Sequence, residues 1–451
     1  MTKLTDVLAC PRCDKTPLEN RNGHYHCKAC KIDFPAINDL PWLFAEPDAS
    51  LGEWRSRLHF SLQQMDKELA SLAGELEDKG LRPATRARTE RYQKARKQHR
   101  DNLAALLEPL SVQSLTASVE SYLALRTRLP PDQGLNTYYA NVHRDWCWGD
   151  AENAASLEQI RSVLGDDTRL GKTLVLGAGA GRLAYDIHTA LVRELTIAFD
   201  FNPMLLLLAQ KMAAGETLQM YEFPIAPREQ SDDAVLRELS APAACDENFH
   251  LVLGDALRPP FAAGAFDTVV TPWLIDIISE DLPLFARRIN LLLKPGGRWI
   301  NFGSLAFDST RRSRRYGTEE VVEILLEQGF ATPLTTEATI AYMCSPASRH
   351  GRKETVFSFA AAKLSNAKKP ARYRALPDWI VTGKDAVPLH ASFQNQAMTT
   401  QIYAFVMSLI DGKRSIEDMA VMFEKQKLMP KAEAIPAIRS FLIKMHDDVK
   451  N

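Results

Sequence analysis

The pattern of apolar positions changes twice along the 451 residues. Residues 1–45 show little regular periodicity and are rich in Cys, Pro and Asn. From about residue 50, Leu58, Leu62, Met65, Leu69, Leu72 and Leu76 recur at steps of three and four. That spacing puts one apolar stripe on a helix. Pro83 interrupts the pattern and a second helical stretch follows to about Leu107, so a helical segment is predicted over 46–125. Over 126–365 the pattern becomes short apolar, β-branched runs: KTLVLGAG, ELTIAFDF, FHLVLGD, AFDTVVTP and GRWINFG. Helical stretches at Leu183–Leu191, Met204–Ala213 and Leu282–Leu292 lie between most of them. Strands alternating with helices predict an α/β domain on a mostly parallel sheet. The interval from Tyr221 to Asn248, with three prolines and many charges, reads as an insertion before FHLVLGD. LSNAKKPARYRALPDW then reads as a basic linker, and two further helical runs form a separate module over 376–451.

Composition narrows the class. Lys and Arg number 55 against 56 Asp and Glu, for a net charge of −1. That balance argues against a surface built as a whole for nucleic acid or anionic membrane. No apolar run approaches the ~20 residues of a membrane helix. The opening MTKLTDVLACPRC has no apolar core of signal-peptide length. Seven cysteines, four of them clustered, do not suggest a disulfide framework, and a cytoplasmic location is expected. One stretch departs from neutrality: Arg82 to Arg100 carries eight Arg or Lys against one Glu. It reads as a solvated helix face or as a surface for nucleic acid or an acidic partner.

Cys10 and Cys13, then Cys27 and Cys30, form two CxxC pairs with 13 residues between them. Two such knuckles complete a tetrahedral four-thiolate site with no open position, so a structural Zn2+ is predicted and 1–45 reads as a zinc ribbon. The run LTDVLACPRCDKTPL…YHCKACKIDFPAINDLPWLF resembles a small zinc-binding family related to the activator subunit of tRNA methyltransferases, with Asn38 and Asp39 where that family usually has Asp-Gly. Such modules often sit beside a methyltransferase domain.

A cofactor signature follows. Leu174-Val-Leu-Gly177-Ala-Gly179-Ala-Gly181-Arg182 is a strand, a glycine-rich turn and a helix start. Arg182 occupies the place where a dinucleotide fingerprint needs its third glycine, so the pattern departs from an NAD site. Asp200 ends the next strand, placed to accept hydrogen bonds from two ribose hydroxyls. Asp255 ends the following one, near where an adenine amino group would lie. With LKPGG downstream, this order reads as a class I S-adenosylmethionine methyltransferase, a Rossmann-like fold on a mostly parallel seven-stranded sheet. The predicted cofactor set is Arg144, Gly177, Gly179, Gly181, Arg182, Asp200, Asp255, Ala256 and Pro272.

HisArgAspTrp (143–146), the GRLA run from Gly181, AspPheAsnProMetLeuLeuLeu (200–207), TrpLeuIleAspIle (273–277) and LeuLysProGlyGlyArgTrpIleAsnPheGly (293–303) together resemble the carnosine N-methyltransferase family over roughly 138–363. The resemblance implies that Arg144 holds the methionine carboxylate of the cofactor and that Asp276 contacts the substrate. Asp200 replaces the family's Glu. The family's pocket histidine corresponds to Asp308, and its late tyrosines to about His350–Lys353, which argues against carnosine itself as the acceptor. Asp276 is the first candidate for orienting or deprotonating an acceptor nitrogen and Asp308 the second. Arg311–Arg315 reads as a solvated basic loop or as a clamp for an anionic substrate.

Residues 404–423 read as a helix, a glycine turn and a helix capped by Ser415, similar to the small winged-helix peptide-binding proteins of pyrroloquinoline-quinone biosynthesis. A peptide or protein partner, nucleic acid or dimerisation are all compatible with that module. The expected activity is S-adenosylmethionine-dependent N-methylation of a small molecule, peptide or protein side chain, with imidazole as one candidate group. An rRNA or tRNA methyltransferase and a non-catalytic cofactor-binding scaffold are the alternatives.

Overall fold

The computed structural model describes residues 3–21, 23–112, 138–166, 168–192, 194–309, 311–372, 377, 379, 380 and 384–450. The predicted helix over 113–125, the start of the α/β segment at 126–137 and part of the linker therefore lie outside the described residues. The chain divides into two compact units, 1–374 and 375–451.

The first unit opens with a short helix α1 (Leu4–Val7), a three-stranded antiparallel sheet β1 (Glu19–Arg21), β2 (His24–Cys27) and β3 (Ile32–Phe34), and a two-residue pair β4 (Ala36–Ile37) and β5 (Leu40–Pro41). Two long helices follow, α2 (Pro47–Leu76) and α3 (Pro83–Leu106), each begun by a proline whose missing N–H is harmless at a helix start. The apolar stripe of α2 is buried at Leu58, Leu62 and Met65 and emerges beyond them. Much of the basic run on α3 serves the fold. Arg86 donates to the Leu76 and Asp78 carbonyls, Arg88 pairs with Asp233, Arg100 with Asp66, and Arg96 with Glu68 beside the Phe223 ring.

Next come α4 (Tyr139–His143), a π-helical turn (Arg144–Trp148) and α5 (Asp150–Ser162). The α/β core then runs β6 (Thr173–Leu176), α6 (Arg182–Leu191), β7 (Thr196–Asp200), α7 (Pro203–Ala213), a hairpin β8 (Leu218–Glu222) and β9 (Val235–Leu239), β10 (Phe249–Leu253), β11 (Phe266–Pro272), α8 (Leu282–Leu292), β12 (Leu293–Gly303), α9 (Thr318–Glu327), β13 (Leu334–Tyr342) and β14 (Arg352–Ala362). The predicted insertion is the β8–β9 hairpin. It begins at Leu218, slightly before the predicted start.

The main sheet has seven strands in the order β10-β7-β6-β11-β12-β14-β13. The first five are parallel, and β14 runs antiparallel to both its neighbours. This is the class I methyltransferase arrangement. Alternation along each strand divides the core between the two faces. Leu174, Leu176, Ile197, Phe199 and Val269 pack against α8, α9 and the N-terminal segment. Val175, Ala198 and Val270 pack against Trp54, Leu58, Ile160, Ile187 and α7.

The second unit, described by itself, holds α10 (Ala391–Ser408), α11 (Ile416–Lys425) and α12 (Lys431–Lys450) around Val406, Leu409, Met419, Ala420, Phe423, Ala434 and Ile438. Ser415 caps α11 as its sequence suggests, accepting from Asp418 N at 3.1 Å while Asp418 accepts from Ser415 N. Its described residues contain no strand, so a wing is not among them.

Candidate active site

A cleft of about 340 Å³ lies at the carboxyl ends of the parallel strands, where open α/β sheets bind their ligands. Gly177 and Gly179 follow β6, Asp200 ends β7, Gly254 and Ala256 follow β10, and Pro272 ends β11. All six line the cleft. Gly179 sits at φ +58°, and a Cβ added there would meet nothing within 4 Å. The open space above it is the cleft itself. Asp200 is 6% exposed. Its Oδ2 accepts from Gly179 N at 2.8 Å and its Oδ1 from Asn202 N at 2.9 Å. Burial pushes the carboxyl up to about 6, against the downward pull of the Asn202, Gly179 and Phe201 N–H groups. Asn202 in turn caps α7, which Pro203 begins, so the sequence Asp-Phe-Asn-Pro fixes the strand end and the helix start together.

Arg144 enters from the π-helical turn. Gly149 closes that turn because a Cβ there would lie 2.3 Å from the Arg144 carbonyl oxygen. Arg144 Nε and Nη2 donate to Asp145 Oδ1 at 2.8 and 2.6 Å, and the guanidinium lies 5.2 Å from the Tyr342 ring centre. Nη1 has no hydrogen-bond partner among the described residues. Trp146 Nε1 donates to the Ala180 carbonyl at 2.8 Å, which ties the turn to the glycine loop.

Asp276, 7% exposed, lines the same cleft from the loop after β11. Its Oδ2 accepts from Ser304 Oγ at 2.5 Å and from Ala306 N at 3.1 Å, and Oδ1 takes no hydrogen bond from the described residues. Trp273 precedes it at φ +49°, a strained conformation for so bulky a residue. Its N–H donates to the Phe302 carbonyl at 2.7 Å and its ring packs on Phe302 and Tyr342, which hold it there.

Four predicted residues do something else. Arg182 donates to the Asp145 carbonyl at 2.7 Å and pairs with Asp150 and Asp186, so it clips the turn to α6 and does not line the cleft. Gly181 starts α6, and a Cβ there would come within 3.0 Å of Ala209 Cβ; its place is in helix packing. Asp255 turns its carboxylate back to accept from Leu257 N at 2.8 Å, outside the lining. Asp308 is exposed and also outside the lining. In the basic loop Arg314 pairs with Asp281 and Arg315 donates to the Ser309 carbonyl, away from the cleft lining.

Sequence reasoning missed Asn141, Asn153, Ser304 and Tyr342, all in the lining, whereas Arg352 falls within the 350–353 segment that the resemblance had pointed to. Asn141 lies one helical turn before Arg144 and was within reach of inspection. Tyr342 comes from the strand before Arg352, and nothing local marks it as facing the glycine loop.

At the N-terminus the sulfurs of Cys10, Cys13, Cys27 and Cys30 all lie within 4.8 Å of one another. The Cys10–Cys30 and Cys13–Cys27 sulfur separations are 3.9 and 3.6 Å. A tetrahedral four-thiolate zinc with bonds of ~2.3 Å has edges of about 3.8 Å. The donor set fits that metal. Arg12 N and Cys30 N donate to the Cys10 and Cys27 sulfurs, each at 3.4 Å.

The model of the family described as carnosine N-methyltransferase matches residues 136–361. The chain belongs to the carnosine N-methyltransferase family. It is an S-adenosylmethionine-dependent methyltransferase, and the family match runs from before the π-helical turn into β14 and takes in every cleft residue described above. No curated protein sequence matches the chain. Among solved structures it is similar to Haemonchus contortus phosphoethanolamine N-methyltransferase 2, at 16% identity and a TM-score of 0.32, over 51% of this chain and 57% of that one. It is also similar to a Thermotoga maritima S-adenosylmethionine-dependent methyltransferase, at 13% identity and a TM-score of 0.30, over 58% of this chain and all of that one.

Proposed function

We propose that this methyltransferase acts on a nitrogen atom that Asp276 orients. The observation that carries the reading is the asymmetry of that carboxylate. Ser304 and Ala306 immobilise Oδ2, while Oδ1 is left to the cleft beside the glycine loop. Bound S-adenosylmethionine supplies a methyl group on a sulfonium, and the electrons of the breaking C–S bond stay on sulfur. Asp200 would accept from the ribose hydroxyls, Gly177 and Gly179 would allow close approach, and Arg144 would pair with the methionine carboxylate. Asp276 would accept an acceptor N–H, so that the nitrogen lone pair faces the methyl carbon and the displaced proton has a base. The four cysteines would hold a structural Zn2+, and the helical tail would serve a peptide or protein partner.

The acceptor is proposed to be a small molecule, peptide or side chain other than carnosine. At the positions of the family's late tyrosines this chain brings Arg352 into the cleft, and Asp308 stands outside it. Asp276→Asn keeps the shape but not the base. With acceptor identified by labelled-methyl transfer into fractionated lysate, its turnover should fall by ~10²–10⁴ with cofactor affinity unchanged. Asp308→Asn should leave turnover near wild type. Full activity of Asp276→Asn contradicts the assignment.

A further inference from the structure

The connection from β10 to β11, residues 254–265, contains no helix. A parallel crossover normally supplies a helix to cover its sheet face, and here the N-terminal segment takes that place. Leu8, Phe34 and Leu43, each fully buried, pack with Phe199, Val252 and Phe261. The backbone is stitched as well. Ala9 N donates to the Pro260 carbonyl at 2.8 Å, Ala262 N to that of Val7 at 2.9 Å, and Leu43 N to that of Leu253 at 2.8 Å. Leu253 is the last residue of β10, and Gly254 and Ala256 beyond it line the cleft. Asn38 also exchanges two hydrogen bonds with Gln210 on α7, the helix that follows Asp200, at 2.8 and 2.7 Å.

One residue connects the first cysteine pair to the turn beside the cleft. Arg258 Nε donates to the Pro11 carbonyl at 2.8 Å and Nη2 to the Arg12 carbonyl at 3.0 Å. Pro11 and Arg12 are the two residues between Cys10 and Cys13. The backbone N–H of Arg258 donates to the Asp255 carbonyl at 2.8 Å, in the turn that carries Ala256 into the cleft. A metal that anchors both thiolates would further restrain these carbonyls. We propose that Arg258 is a positioning residue that couples the four-thiolate metal site to the cofactor cleft, so that metal and cofactor each raise affinity for the other. The inference rests on the cofactor and zinc readings above. Coupling between two binding equilibria is reciprocal, and a typical coupling corresponds to a ~5–150-fold change.

The test uses the full-length, zinc-loaded protein. Zinc affinity is measured by equilibrium competition with a chromophoric chelator, with and without saturating S-adenosylhomocysteine, and S-adenosylhomocysteine affinity by calorimetry. In the wild type, S-adenosylhomocysteine should tighten zinc binding by about fivefold or more. Arg258→Met keeps much of the apolar stem and removes the donors. It should still bind one zinc per chain, bind S-adenosylhomocysteine several-fold more weakly, and lose the effect of one ligand on the other. Arg258→Lys, which retains one donor, should restore part of the coupling. Wild-type zinc affinity that ignores bound S-adenosylhomocysteine overturns the coupling alone. A wild type that gives no S-adenosylhomocysteine heat overturns the cofactor reading and the coupling together.

Discussion

Asp200 is the residue whose environment leads to the sharpest pH dependence. The folded protein holds its proton up to about pH 6, against an ordinary 3.8. Stability that this proton contributes is therefore present below the ordinary carboxylate range and lost as pH rises towards 6. Cofactor affinity runs the other way. In the proposed pose the ribose hydroxyls would donate to the ionised form, so binding would expel the proton and be opposed at low pH. The dissociation constant of S-adenosylhomocysteine should fall as pH rises through about 6 and level off above it. Asp200→Asn should flatten that profile and weaken binding by ~1.5–3 kcal/mol, the scale of a hydrogen bond to a charged group. A wild-type profile with no inflection would count against the role. That Asp200 and Asp276 are buried against the cleft was legible in sequence, because a carboxylate at the end of or inside an apolar run is expensive to bury without a partner. Arg182 and Asp255 lie outside the lining, held by partners close in sequence, Asp186 one helical turn on and the Leu257 N–H two residues on, together with the more distant Asp150.

Among the elements, the parallel strands could be read directly, since strands buried on both faces are almost continuously apolar. The last two strands could not be. β13 alternates only weakly and is largely exposed, and β14 gains its place by pairing antiparallel to β12. The role of the basic run on α3 was equally hidden, because Asp66, Asp78 and Asp233, which engage it, lie in other elements. In the tail, by contrast, the start of α11 was written in four residues. Ser415→Ala removes the hydroxyl that accepts from Asp418 N and should destabilise the 375–451 unit by ~1 kcal/mol. Thermal melting followed by helical circular dichroism is the check, and the cofactor affinity of the full chain should not change. An unshifted melting curve would mean that the cap contributes nothing there.

Across the whole molecule, the CxxC pairs predicted a cluster of four thiols, which the structure brings together, but not its position against the α/β core. The signal was present in the short gap between FHLVLGD and AFDTVV, too short for a crossover helix and its two turns. The N-terminal segment, the helical hairpin and the methyltransferase sheet consequently share one compact unit. No helix among the described residues is long and apolar enough to cross a membrane. In the proposed site the cofactor lies over the glycine loop between Asp200 and Arg144. Gly179→Val examines it most directly, because the added side chain meets open cleft and leaves the packing around it in place, although the left-handed φ adds local strain. Calorimetry should record one S-adenosylhomocysteine site per chain in the wild type and none in Gly179→Val, with circular dichroism showing both proteins folded. A folded Gly179→Val that binds S-adenosylhomocysteine as tightly as the wild type would contradict the account.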